Sequence, residues 1–392
     1  METNIWLIAA VWMALALAAS VISIRLGISV ALVEIAVGVI AGNALDVHST
    51  SWIDFLATFG SGLLTFLAGA EIDPASLRRH LKPALSIGAA SFALPCLAAG
   101  AFAYWGLHWT RDASVIAGIA LSTTSVAVVY AVIIETGLNK TELGKLLLAA
   151  CFVTDFGTVL ALGIAYAHFN AWLALFVGVT ALVLWQLPRL TRFVIRSVGH
   201  RISEPEVKFV FLVLFLLGGL AKVAQSEAVL PAYLVGLVIA GVFVRDRVLM
   251  DRMRSIAFSI LTPFYFIKAG LFVSLPAIAA GAGAIVAFLI VKMGAKAVGV
   301  LPLTRLFAFG ARDGMYTTLL MSTGLTFGTI SAMFGLTNHL ITQTQYTILV
   351  TAVIGSALVP TLLAQRFFQP RSPMFETSEE DIEEMIVPVA EP

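Results

Sequence analysis

Residues 114–134 read SVIAGIALSTTSVAVVYAVII, an apolar run long enough to cross a bilayer with four hydroxyl residues, Ser122-Thr123-Thr124-Ser125, at its centre. A second apolar run, 314–336, carries Ser322-Thr323-Gly324-Leu325-Thr326 at nearly the same depth, 200 residues further on. Hydroxyl side chains compete for nearby backbone groups and glycine stiffens nothing, so both segments weaken a helix. At membrane depth, open backbone is tolerated only where protein or a cavity satisfies it. The pair therefore reads as two helices interrupted in mid-membrane, whose free carbonyls and half-helix ends can face a cation. The other reading is that small residues only let helices pack closely.

Moving outward, two more matches share this spacing. Val39-Ile40-Ala41-Gly42 recurs as Val238-Ile239-Ala240-Gly241, offset by 199, and the Ala-Gly of Phe66-Leu67-Ala68-Gly69 recurs in Phe266-Ile267-Lys268-Ala269-Gly270, offset by 201. Each match is short, but their common spacing signals an internal repeat. Apolar stretches long enough to span fall near 5–24, 28–45, 54–70, 84–106, 114–134, 145–168, 170–187, 207–225, 228–244, 256–273, 277–301, 314–336 and 344–367. Thirteen spans make two sets of six, about 5–168 and 207–367, joined by a linking helix at 170–187. The odd span between the sets inverts the second relative to the first, the arrangement of secondary transporters that alternate access around a midplane site.

Composition agrees with a multi-pass membrane protein. Of 392 residues, 59% are hydrophobic and 12% charged, against about 25% charged in a soluble domain. Nineteen Lys and Arg residues fall in alternate loops and only Arg111 in the others. That asymmetry predicts an N-terminus outside and a C-terminus in the cytoplasm, in the inner (plasma) membrane. The Met-Glu-Thr-Asn start has no basic region, so the first apolar run reads as a retained helix. Residues 369–392 form an acidic cytoplasmic tail after the 1–368 membrane domain. No basic patch with interleaved aromatics supports nucleic-acid binding. Cys96 and Cys151 lie in apolar runs and suggest neither a disulfide nor a metal pair. No H-E-x-x-H, G-x-S-x-G or Walker A pattern occurs, which gives hydrolase or ATP-driven chemistry no foothold and implies no cofactor.

Few charged residues remain at membrane depth. Asp155, in Phe152-Val153-Thr154-Asp155-Phe156-Gly157, falls mid-span. A charge at the bilayer centre costs at least ~2.5–3.5 kcal/mol, so it needs a partner or a cavity. A hard oxygen ligand that can also hold a proton suits exchange of a cation for a proton. Lys292 and Lys296 lie one turn apart on one face of the eleventh span. Lys292 reads as a snorkelling or packing residue. Lys268 either pairs with a carboxylate or lines the path. Glu34, in Val33-Glu34-Ile35, reads as a structural hydrogen-bonding group, and Glu71 and Asp73 as a solvated edge.

These motifs resemble the monovalent cation:proton antiporters of the Kef and NapA type, over essentially the whole membrane region. The matching stretches are Val33-Glu34-Ile35-Ala36-Val37-Gly38 through Gly42, Phe66 through Pro74, Ala120 through Ser125, Thr154-Asp155, Pro263-Phe264-Tyr265-Phe266, and Lys296 followed by Arg305-Leu306. The resemblance implies an all-α fold of the NhaA/NapA kind, with crossed discontinuous helices, a core domain, a dimerisation domain and an elevator-like movement. It implies that Asp155 binds Na+ or K+ and H+ in turn, that Lys296 is its ion-pair partner, and that the protein is a homodimer. Thr154, with Ser122, Thr123, Thr124, Ser125, Thr323, Gly324 and Thr326 at the breaks, would complete an oxygen cage. Two departures stand out. Thr154 replaces the first of two adjacent aspartates of the sodium-selective electrogenic relatives. Thr323-Gly324-Leu325 replaces the Arg-Gly-Glu or Gly-Gly-Glu often found in the twelfth span. A single carboxylate favours one proton per cation and electroneutral exchange, provided that Lys296 keeps its proton. The competing readings are a sodium-coupled organic-anion symporter and, more remotely, an intramembrane enzyme using Asp155 as an acid.

Overall fold

The computed structural model describes residues 4–26, 30–45, 47–70, 81–136, 138, 141–166, 171–199, 203–224, 229–243 and 247–370. Glu71, Asp73 and residues 371–392 of the acidic tail lie outside the described residues. Among the described residues the structure is helical throughout. The first helices are α1 (Ile5–Leu26), α2 (Val30–Ala44), α3 (Ser51–Ala70), α4 (Leu81–Ala101), α5 (Arg111–Ser122) and α6 (Val126–Glu135). Next come α7 (Glu142–Ala165), α8 (Ala171–Val198), α9 (Pro205–Val223), α10 (Val229–Phe243), α11 (Arg247–Ile256) and α12 (Thr262–Leu271). The last are α13 (Leu275–Leu306), α14 (Ala311–Met321), α15 (Thr326–Thr337) and α16 (Gln343–Phe367).

The described residues of each of the thirteen apolar stretches are largely helical. Among the described residues, eight spans are long and apolar enough to cross a membrane by themselves. The thirteen-span expectation exceeds what length and hydropathy establish, because several helices are short or carry charge; α2 and α10 have 15 residues each, fewer than the ~20 of a full span.

The helices pack in two groups. One holds α4 to α7 and α13 to α16; the other holds α1 to α3 and α8 to α12. In the second group, α2 packs on α12 and α3 on α10 through reciprocal glycines. A Cβ at Gly270 would sit 2.1 Å from the Ile35 carbonyl and one at Gly38 2.1 Å from that of Ile267. Equivalently, a Cβ at Gly69 would sit 2.3 Å from Tyr233 O and one at Gly236 2.1 Å from Phe66 O. Such backbone-to-backbone crossings are how apolar helices associate when lipid is as apolar as their side chains. The repeated Ala-Gly pair seen in the sequence thus falls at equivalent crossings.

In the first group, α5 ends at Ser122 and α6 starts at Val126, while α14 ends at Met321 and α15 starts at Thr326. Thr123 is extended (φ −63°, ψ 154°), which turns the chain out of the helix. The hydroxyls then take over the orphaned carbonyls. Ser122 Oγ donates to Ile119 O (2.7 Å), Thr123 Oγ1 to Ala120 O (3.2 Å) and Thr323 Oγ1 to Leu320 O (2.7 Å). Both interruptions anticipated from composition are present.

Candidate functional site at the helix breaks

The two breaks meet. Thr124 Oγ1 donates to Met321 O at 2.9 Å, and the Ser125 N–H donates to Thr323 Oγ1 at 3.4 Å. Ser125 Oγ accepts from Val128 N at 3.3 Å and so caps α6. Ser122, Thr123, Thr124, Ser125 and Thr323 are all buried. Thr326 opens α15 and is half-buried.

Asp155 lies midway along α7, buried, and its Oδ1 has no hydrogen-bond partner among the described residues. Thr154 beside it directs its hydroxyl to Ala150 O (3.0 Å) and Gly88 O (3.4 Å), tying α7 to α4. Its oxygen lone pairs remain available to a ligand.

Lys296 is buried, and its ammonium is met by Ser91 Oγ (2.8 Å), Thr124 Oγ1 (2.9 Å) and Thr123 O (3.3 Å). The direct ion pair with Asp155 is not formed: among the described residues no salt bridge joins the two. The physical reason is that three neutral acceptors already use the three N–H donors of the ammonium. The cage expectation changes in the same way. Several of its hydroxyls donate to backbone carbonyls, and lysine amines occupy part of the space between them. Lys292 does not snorkel to an interface. It is fully buried, with its Nζ against Gly324 and hydrogen-bonded to Ser356 Oγ at 2.9 Å.

The remaining candidates lie elsewhere. Lys268 pairs with Asp54 at 2.8 Å, which decides its open choice in favour of a carboxylate partner; Ser49 Oγ also donates to Asp54. Asp54 lines a cavity of about 930 Å³ between the helix groups, together with Phe59, Tyr166, Lys222, Ala232 and Asn338. Glu34 is buried on α2, away from the breaks, and its Oε2 has no hydrogen-bond partner among the described residues. The hydrogen-bonding role expected of it is not seen at that oxygen. Ser91, Ser356, Asp54 and Tyr233 escaped the sequence reading. Lone serines in apolar helices carry no periodic signal. Tyr233 looks like core, yet its hydroxyl crosses between the groups to Phe152 O at 3.1 Å.

Two interrupted helices that meet beside two buried lysines, packed against a helix that carries a buried aspartate, define a multi-pass membrane protein of the discontinuous-helix class. The match of residues 12–369 to the family model "Sodium/hydrogen exchanger, transmembrane" places the chain in the sodium/hydrogen exchanger family. Among relatives, the probable Na(+)/H(+) antiporter 3 of Methanocaldococcus jannaschii is 25% identical over 256 residues, covering 62% of this chain and 64% of that one. The Na(+)/H(+) antiporter of Enterococcus hirae is 24% identical over 368 residues, 88% of this chain and 93% of its own. The chain spans under half of some longer relatives, such as 42% of cation/H(+) antiporter 18 of Arabidopsis thaliana. In fold, it is similar to the sodium proton antiporter MjNhaP1 of Methanocaldococcus jannaschii, with a TM-score of 0.71, 16% identity, and coverage of 93% of this chain and 97% of the other. These relatives carry antiporter names, which lends the organic-anion symport and enzyme readings no support.

Proposed function

We propose that the chain is a secondary monovalent cation/proton antiporter in which Na+ or K+ and H+ compete for Asp155. The observation that carries this reading is the buried Asp155 Oδ1, without a hydrogen-bond partner among the described residues and one helical turn from Cys151, whose Sγ lies 3.8 Å from Met321 Sδ at the end of α14. A carboxylate cannot stay charged and unpaired there, so it holds either a proton or a cation, and exchange follows from that alternative. Thr154 and the carbonyls of the breaks complete the cation's oxygen shell. Lys296, held by neutral acceptors, keeps its proton and tunes Asp155 through space. One carboxylate that exchanges one monovalent cation for one proton, with no other group changing its protonation, makes the exchange electroneutral.

Alternating access is supported by the division into two helix groups and by the reciprocal glycine crossings α2–α12 and α3–α10. Those crossings are what two inverted six-helix repeats within thirteen spans would produce. The orientation, N-terminus outside, rests on the Lys/Arg asymmetry of the loops, and the homodimer and plasma-membrane location on family resemblance. The test is dissipation of a pH gradient in proteoliposomes by added Na+, K+ or Li+, comparing the natural chain with Asp155→Asn. Cation-dependent dissipation that disappears in the variant is expected. Undiminished exchange in Asp155→Asn would sink the site assignment.

A further inference from the structure

Lys292 and Lys296 share a face of α13, and both are fully buried, but their surroundings differ. Lys296 has an acceptor for each of its three N–H groups. Among the described residues Lys292 has one, Ser356 Oγ, which sends its own proton to Val353 O at 2.7 Å. Among the described residues no carboxylate pairs with Lys292. A second feature explains why the side chain is there. A Cβ at Gly324 would lie 2.2 Å from Lys292 Nζ, 2.9 Å from Thr123 Oγ1 and 3.2 Å from Ser356 Oγ. The amine therefore fills the space that a side chain at 324 would take, in the second break and beside the first. The C-terminal end of α14 directs its partial negative charge into the same gap, which favours a cation there. The hydroxyl oxygens of Ser356 and Thr123 border it, and hydroxyl or carbonyl oxygens are what replaces the hydration shell of a monovalent cation.

We propose that Lys292 is a tethered cation: its ammonium occupies the second helix break in place of a transported ion and limits the chain to one cation site, the one at Asp155. Gly324 admits the ammonium and Ser356 orients it. The inference builds on the antiport reading, and it adds the residue that sets how many cations the core accepts. With Lys292 in place, a second mobile cation would enter a core that already holds two lysines against one aspartate.

The test is equilibrium binding of radioactive sodium and, in a parallel arm, of radioactive rubidium as a potassium surrogate. It uses the purified full chain in detergent, with the folded fraction isolated by size exclusion. Lys292→Ala and Lys292→Ser, either of which empties the gap, are expected to bind one more ion per chain than the natural protein. Lys292→Met refills the gap with neither charge nor oxygen and is expected to show no gain, which separates site creation from general loosening. No gain in the folded Ala or Ser variant, for either ion, overturns the proposal. A gain in Lys292→Met equal to that in Lys292→Ala overturns it as well. The antiport reading fails separately, when the natural chain and Asp155→Asn bind equally. The Lys292 comparison is read as a difference and still stands in that event.

Discussion

The Thr124 hydroxyl donates to the Met321 carbonyl at 2.9 Å, so a side chain from the first helix break closes the open end of the second. The same oxygen accepts from Lys296 Nζ at 2.9 Å. One threonine thereby joins both breaks and the buried ammonium, and the geometry of the centre depends on a handful of such shared contacts.

Thr124→Val keeps the shape and removes both bonds. It leaves Met321 O and one Lys296 N–H buried without a partner, at about 1–3 kcal/mol. Thermal unfolding in detergent is expected to shift down by several degrees, and Thr124→Ser to recover most of the loss. Equal midpoints for the natural chain and Thr124→Val would show that the bridge contributes nothing.

Competition for one carboxylate has a kinetic signature. As pH falls, the proton occupies Asp155 and the apparent KM for the cation rises, approaching about tenfold per pH unit by mass action, while the maximal rate at saturating cation holds. Initial rates across a grid of pH and cation concentration check this. A KM independent of pH with a falling maximal rate would contradict a shared site.

The glycine crossings set a packing prediction with an internal control. Gly270→Ala and Gly236→Ala each place a Cβ 2.1 Å from a facing carbonyl, and overpacking of this kind costs about 1–3 kcal/mol or more. Gly241→Ala has nothing within 4 Å of its Cβ. Size-exclusion profiles and melting points are expected to show losses for the first two and none for the third, although Gly241 also belongs to the sequence repeat.

Asp54→Asn leaves the Lys268 ammonium without its carboxylate. The Asp54 side chain is 50% exposed and that of Lys268 10%. Solvent screening therefore limits the expected loss to about 1 kcal/mol or less. A double-mutant cycle with Lys268→Met measures the coupling. Single losses that simply add would mean the pair does not couple α3 to α12.

Tyr233→Phe deletes the hydroxyl that ties α10 to Phe152 O on α7. One hydrogen bond of about 1 kcal/mol shifts a two-state balance roughly fivefold. If the helix groups move past each other during transport, the turnover number is expected to rise while the cation KM stays put. A turnover number that is unchanged or lower argues against this contact as a brake.

The sequence alone located most of the architecture because its strongest signals are one-dimensional. Long apolar runs, hydroxyls interrupting two of them at one spacing, and a lone aspartate at depth are each properties of consecutive residues. The helix breaks at Thr123 and Gly324, the burial of Asp155 and Lys296, and the Ala-Gly crossings all follow from such runs. Partnership was beyond it. Lys268 finds Asp54, Lys296 finds Ser91 and Thr124, and Lys292 finds Gly324 and Ser356, at separations of 205 residues for Lys296–Ser91 and 64 for Lys292–Ser356. Hydrogen bonds are short and directional, so which acceptor an ammonium reaches depends on ångström-scale placement of helices that no spacing rule encodes. Composition sufficed to put the charges inside the membrane; only the packing of α13 against α5, α14 and α16 decided that the lysines face the breaks and leave Asp155 Oδ1 without a partner among the described residues.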